Sequence, residues 1–295
     1  MLRNIRTEAL IALLLLVPLP AVYGLSFVYP TIQMFITSFT DAPLIGDGKW
    51  VGLDNYVRLP KDRLFNLSLW NTGYFVLLSV IPGTFVALLV ELGVSRLPGW
   101  LQSTVLALFF LPYILPVAVV YFLWDWILNF QFGAGMHVLD FFGLERSPIF
   151  KTVTWFLPAA ALVTIWWTAG FSFLLFLAGI RAIPPEIYEA AALDNSGPLR
   201  TFRKITWPLL WPVTALVLTI QLILQLKIFD QVYLFSIGGR PNDNMVMVQY
   251  IYTRAFVNNQ GGRAAAIAVT LFMIVIIISV FQFQMLRMLG GKERK

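Results

Sequence analysis

SLWNTGYFVLLSVIPGTFVALLVEL, residues 68–92, is apolar over a length that crosses a hydrocarbon core as a single helix, because a span takes roughly 20 helical residues. Five further stretches are of the same kind, at about 9–38, 101–128, 155–181, 205–235 and 264–288. The expected fold class is therefore all-α, a polytopic membrane protein with six transmembrane helices. Composition agrees. Of 295 residues, 59% are hydrophobic and 12% charged, against about 45–50% and about 25% in a soluble domain. The mean hydropathy of +0.77 points the same way, since a soluble core has no use for so much apolar surface. Length here translates into spans rather than into soluble domains.

Prolines lie inside several of these stretches, at Pro18, Pro20, Pro82, Pro112, Pro116, Pro158 and Pro212. In water they would argue against helix, but inside a membrane protein neighbouring helices and hydroxyl side chains re-satisfy the carbonyls a proline frees. Arg3 and Arg6 followed by an apolar run resemble a secretory signal with a cleavage site near Ala21–Gly24. The apolar character continues through Phe27, Val28, Ile32, Phe35 and Ile36, so an uncleaved first span is the better reading.

The net charge of +6 sits at the ends of apolar runs rather than in one stripe, which suits lipid headgroups and topology and not nucleic acid. With the N-terminus inside, Arg3, Arg6, Arg96, Arg181, Arg200, Arg203, Lys204, Arg287, Lys292, Arg294 and Lys295 share the inner side in short segments flanking spans. The outer basic residues are diluted by Asp41, Asp47, Asp54, Asp62, Asp140, Glu145 and Asp243. Both termini are thus expected in the cytoplasm. The outer connections 40–67 and 236–263 are rich in Gly, Pro, Asn and Asp, and should form turns and short surface helices. There is no cysteine, and the single His137 builds no multi-histidine metal centre.

Between the fourth and fifth spans, on the inner side, runs IPPEIYEAAALDNSGPLRTFRKITWPLLWP, residues 183–212. Pro184 and Pro185 suit a first helical turn, with Glu186 and Glu189 near its positive end. Ala190, Ala191 and Ala192 favour helix with almost no side-chain bulk, and Asp194, Asn195, Ser196, Gly197 and Pro198 stop it. A second short helix is expected from Pro198 through Phe202 and Ile205 toward Pro208, giving a helix-turn-helix over 183–204 whose small-residue face another backbone can approach. On residue chemistry alone, such a loop serves equally as a docking element or as an amphipathic segment on the membrane surface.

Glu189-Ala190-Ala191, three residues, a turn position, nine residues, then Ile205 and Pro208 resembles the EAA loop of binding-protein-dependent ABC importer permeases. The likeness extends to Trp50–Leu59, Phe109–Asn129 and Phe229–Phe256 with the GRAAAIAVTLF that follows, and is of the sugar-import kind, which includes permeases for maltose, other oligosaccharides and glycerol 3-phosphate. It covers about residues 8–289. Asn195 stands where the family usually has Gly, Trp207 where it has Leu, and Arg240 is inserted where it often reads Gly-Gly-Pro. Asn is the non-glycine residue best able to take the left-handed turn conformation.

The resemblance implies a single permease domain over 1–295, in the bacterial cytoplasmic (inner) membrane. It implies as partners a second homologous permease subunit, two ATPase subunits carrying ATP and Mg, an extracytoplasmic solute-binding protein and a carbohydrate-like substrate. It places Glu186, Glu189, Ala190, Ala191, Asp194, Asn195, Gly197, Arg203, Ile205 and Pro208 in the ATPase-coupling loop, which moves with nucleotide-driven closure to give alternating access.

Ionisable and amide groups inside spans mark a candidate pathway. Lys227 and Asp230 are spaced for one helical face in the outer half of the fifth span, close enough to pair. Gln221, Gln225 and Gln231 extend this into a polar stripe. Trp166 and Trp167 offer faces on which a sugar ring can stack, with Asn71 and Tyr74 as weaker candidates. A structural ion pair with lipid-facing tryptophans is the plainer alternative. No GxxxxGK[ST] loop, HExxH or nucleophile elbow occurs, and His137 has no acid-base partner in the sequence. No catalytic residue, metal site or cofactor bound by this chain is therefore expected. Two other classes are an ion-coupled secondary transporter using Lys227 and Asp230 as its relay, which usually carries internal repeats not seen here, and an intramembrane enzyme acting on lipid, which needs a catalytic cluster at one depth.

Overall fold

The structure is a computed structural model that describes residues 11, 14, 16–95, 97–143, 145–237, 239 and 242–292, with side chains as far as Leu286. Arg3, Arg6, Arg96, Arg240, Arg294 and Lys295, and the side chains of Arg287 and Lys292, lie outside the described residues, as does the start of the first span. The described chain is all-α apart from one isolated bridge, Thr40 with Trp50. In order it forms α1 (Pro18–Thr37), α2 (Asp54–Arg58), α3 (Arg63–Val94), α4 (Gly99–Ile114), α5 (Val117–Ile127), α6 (Ala134–Phe141), α7 (Val153–Arg181), α8 (Pro185–Leu193), α9 (Pro198–Leu226), α10 (Asp230–Ser236), α11 (Met247–Tyr252) and α12 (Gly261–Lys292). Helices α1, α3, α7, α9 and α12 are each long and apolar enough to span a membrane, and α4 with α5 makes a sixth if that bent pair is one span.

The third span is not one continuous helix, contrary to the reading of 101–128. Helices α4 and α5 meet at 102°. Pro116 pushes the residue before it out of the helical region, and Leu115 accordingly has ψ 136. The carbonyl this strands is recovered from α7, where Trp167 Nε1 donates to Leu115 O at 3.2 Å.

The fifth span also differs from 205–235. It begins at Pro198, so the expected second helix of the loop is the first turns of the span itself. A π turn over Phe202–Thr206 absorbs Pro208, which can neither donate to the ladder nor sit against the carbonyl four residues back. The span stops at Leu226 because Lys227 and Phe229 leave helical geometry, Phe229 with φ -142, and the chain restarts as α10 with Asp230 in its first turn.

The chain divides into two compact units. One holds the described residues up to Asp62 with Tyr250–Phe272. Here Asp41 N donates to Lys49 O (3.0 Å) and Val51 N to Phe39 O (2.8 Å), closing a turn over which Phe39 stacks on Trp50 at 5.4 Å. Asn55 Nδ2 ties Ser38 O and Thr40 O at 2.9 and 2.8 Å. Gly262 N donates to Ala42 O at 2.8 Å, a backbone-on-backbone approach that any Cβ would block.

The other unit runs from Arg63 to Gln249 and resumes at Met273. Helix α3 packs along α7, α4 crosses α7, and α9 lies against both α3 and α7. On α3 the buried residues Phe75, Val76, Ser79, Val80, Gly83, Ala87 and Leu88 recur every three or four positions, the stripe a packed helix face requires. Trp70, Leu77, Phe85 and Leu89 stay exposed on the other side, where lipid is an apolar solvent for them.

Candidate functional site

Helix α8 is held by its inner side. Ile183 and Ala191 are buried, and Ile187 and Tyr188 pack on the cluster built from Leu88, Val94, Phe176 and Leu210. Tyr188 and Thr206 share a hydroxyl hydrogen bond of 3.2 Å that fastens α8 to α9. Glu186, Glu189, Ala190, Leu193 and Asp194 remain exposed, Leu193 at 86%. One flank of the loop thus anchors to the ends of the spans, while the other offers three carboxylates around a small, partly apolar face.

The turn after α8 satisfies its own backbone. Asn195 sits at φ 51, Asn195 N donates to Ala192 O (3.1 Å) and Ser196 N to Ala191 O (3.0 Å), the paired bonds of a Schellman cap. Asn therefore does at 195 what Gly does in the family pattern. Asn195→Gly is expected to leave thermal stability and uptake within about 0.5 kcal/mol of the parent, while Asn195→Val costs roughly 1–2 kcal/mol because a β-branched residue resists the left-handed region. Melting curves in detergent for the two variants check this.

Trp207 also acquires a reason. Its ring lies 6.1 Å from Phe202 and 5.9 Å from Trp211, and Trp211 Nε1 donates to Leu286 O at 3.1 Å on α12. The larger side chain joins an aromatic ladder along the start of α9. Arg203 is exposed and Ile205 half-buried on the π turn, with Pro208 just beyond it and Gly197 exposed ahead of α9. At the root of the loop an open cleft of about 690 Å³ is lined chiefly by Leu92, Ile180, Tyr188, Leu199 and Phe202.

The pathway candidates separate into two groups. Gln221 Nε2 donates to Ser172 Oγ on α7 (2.8 Å), and Gln225 Nε2 to Gln221 Oε1 (3.2 Å). Both glutamines are buried, and the Gln225 amide oxygen has no hydrogen-bond partner among the described residues. Gln231 is buried on α10. Lys227 and Asp230 are both exposed and flank the break between α9 and α10, so they do not share a helical face, and no ion pair joins them.

Three others make structural contacts. Asn71 Nδ2 donates to Asp243 O and Met245 O at 3.1 and 3.0 Å, pinning the outer connection to α3. Trp167 is spent on the α4–α5 break, and Trp166 packs edge-on to Trp124 at 5.4 Å. Tyr74 is 39% exposed on α3.

Sequence reading passed over Glu91. It lies in the last turns of α3, fully buried, and neither carboxylate oxygen has a hydrogen-bond partner among the described residues. The signal was available, since Glu91 is an ionisable residue inside the apolar stretch 68–92, the same criterion that selected Lys227. Among the described residues no group of three or more His, Asp or Glu stands ready to hold a metal ion.

Residues 72–286 match the family described as binding-protein-dependent transport system inner membrane component. The chain belongs to that family. It is a permease subunit of an ABC-type importer in the inner membrane, working with a periplasmic binding protein and with partner proteins that hydrolyse ATP. The permease is 29% identical over 95% of its length to the sulfoquinovosyl glycerol transport system permease SmoG of Agrobacterium fabrum, of which 91% is covered. It is 29% identical to the trehalose/maltose transport system permease MalF of Thermococcus litoralis, with 91% of each chain covered. A solved bacterial ABC transporter involved in the import of the acidic polysaccharide alginate superposes with a TM-score of 0.86 at 24% identity, over 97% of both chains, a likeness of fold. Family membership replaces the ion-coupled and lipid-enzyme readings, and the separation of Lys227 from Asp230 removes the proposed relay.

Proposed function

We propose that this permease forms one half of a translocation pathway for a sugar or sugar-like solute, as a single permease domain with both termini cytoplasmic. Its partners are a second homologous permease, two ATPase subunits and an extracytoplasmic solute-binding protein. The exposed flank of α8 enters a cleft on an ATPase subunit. ATP-driven closure draws the coupling loops together and opens the cavity outward to receive the solute, and hydrolysis resets it inward. Support for the docking role comes from the division of α8 into an anchored side and an exposed side carrying Glu186, Glu189, Ala190 and Leu193.

The observation that carries the substrate class is Gln225. An unpartnered amide acceptor buried within a span is costly unless something donates to it. Sugar hydroxyls are donors of the required kind, and the Gln221–Ser172 bond holds the ladder in position for them. Relatives named for trehalose/maltose and sulfoquinovosyl glycerol are consistent with a sugar class. Lys227, without an ion pair among the described residues, keeps anionic sugars and glycerol phosphate within the class beside neutral mono- and oligosaccharides and polyols.

The test is ATP-dependent uptake by the assembled importer in proteoliposomes, screened over sugars presented by its binding protein. Gln225→Leu should lower the uptake rate for the accepted sugar about 3- to 10-fold, the worth of one neutral hydrogen bond, while the importer still assembles. Unchanged uptake in that variant removes Gln225 from the pathway, and acceptance of only non-carbohydrate solutes overturns the class.

A further inference from the structure

We infer that the cleft formed by Lys61, Asp62, Arg254 and Arg263 receives an acidic side chain of the periplasmic binding protein, so that docking on this permease is steered by a carboxylate. The inference rests on the importer reading. Lys61 and Asp62 lie in the connection between the first and second spans, Arg254 in that between the fifth and sixth, and Arg263 in the first turn of the sixth span, beside that connection. The coupling loop lies in the connection between the fourth and fifth, and connections an odd number of crossings apart fall on opposite sides of a membrane. The topology therefore assigns the cleft to the side of the membrane on which the binding protein docks.

Its chemistry is anion-accepting. Arg58 is committed to Asp54 at 2.7 Å along α2. Arg254 is fixed from several directions: Nη2 to Asp62 Oδ2 at 2.9 Å, Nε to the Tyr250 hydroxyl at 2.7 Å, Nη1 to Gln260 Oε1 at 3.0 Å, and the guanidinium 5.1 Å from the Tyr250 ring centre. Tyr250 in turn donates to Asp62. Burial, reinforced by the Asp62 carboxylate, pushes the Tyr250 phenol up to about 12, so it stays a neutral donor. Asp62 is thus spent inside the network.

Lys61 and Arg263 line the same cleft with no ion pair among the described residues. A carboxylate arriving between them meets two uncommitted cations beside an arginine that has no freedom to move away. The cleft volume is about 230 Å³, below the roughly 300–1,000 Å³ of small-molecule pockets. That space takes an Asp or Glu side chain and is small for an oligosaccharide. Charge complementarity of this kind sets encounter rate and register more than bulk affinity.

The experiment uses the complete importer in vesicles of zwitterionic lipid, titrated with its own sugar-loaded binding protein, reading stimulation of ATP hydrolysis. With Lys61→Glu and Arg263→Glu combined, the binding-protein concentration for half-maximal stimulation should rise about tenfold or more. The salt dependence of that concentration should flatten, since the screened attraction is gone. The milder Lys61→Gln with Arg263→Gln should fall between, and copurification of all subunits checks folding in both. Replacing one acidic residue on the binding protein by Lys should partly rescue the Glu variants.

An unchanged half-maximal concentration overturns the inference. So does a defect that appears only when anionic lipid is present, which identifies a headgroup site, or normal stimulation with impaired uptake of an anionic sugar alone, which identifies a substrate site. No stimulation of the unaltered complex by any binding protein would instead sink the importer reading itself.

Discussion

Glu189→Lys leaves the permease inserted and folded but lowers ATP-driven uptake roughly a hundredfold or more, the scale of a 2–5 kcal/mol loss when a charged interface contact is reversed. Glu189 is exposed on α8 and makes no ion pair within the described chain. Little in the permease itself therefore depends on its carboxylate. Glu189 stands mid-helix, past the first turn that carries Glu186, so a lysine there costs at most a few tenths of a kcal/mol through the helix dipole, small beside the packing of Ala191, Ile183 and Tyr188 that fixes the helix. The loss should accordingly appear in coupling. Measured side by side in proteoliposomes, ATP hydrolysis should persist while uptake collapses, and detergent melting should stay close to the parent. Full transport by this variant would falsify the docking role of α8.

Gly170→Ala acts on the fold. Gly170 lies on α7 where α4 crosses it, and a Cβ there would stand 2.7 Å from Phe110 Cα and closer still to the Phe109 carbonyl. These are backbone atoms, so no rotamer relieves the contact and α4 itself must shift. Overpacking of this type costs about 1–3 kcal/mol, a substantial part of a typical stability of about 5–15 kcal/mol. Displacing α4 also disturbs the break at Leu115 that Trp167 caps. Gly73→Ala on α3 is the control. Nothing lies within 4 Å of its added Cβ, so it should be neutral or raise stability by about 0.5–1 kcal/mol through helix propensity. Size-exclusion melting of the two variants decides the matter, and equal melting temperatures would show that the α4–α7 crossing is looser than described.

The sequence alone determined the helical class, the approximate places of the spans and the loop between the fourth and fifth. These follow from local quantities: a run of apolar residues of span length is recognisable wherever the chain later goes, and Pro185, the alanines and the 194–198 stop define α8 without any neighbour. The left-handed Asn195 was legible for the same reason, since its conformation is set within the turn.

What lay beyond the sequence was set by contacts between distant segments. Pro82, Pro112, Pro158 and Pro212 lie inside helices of the unit from Arg63 to Gln249 without ending them, yet at Pro116 the span turns by 102°. The residue types are the same, and the difference at Leu115 includes an indole from α7 that takes up the freed carbonyl. Asn71 looked like a pathway group and proved to hold residues 243 and 245, more than 170 positions away. Lys227 and Asp230 looked like a pair on one face, but a helical face exists only while the helix continues, and the chain leaves helix between them. Amides and charges in an apolar run announce that a cost is being met; only the tertiary structure assigns the partner, because a hydrogen bond depends on position in space and not on distance along the chain.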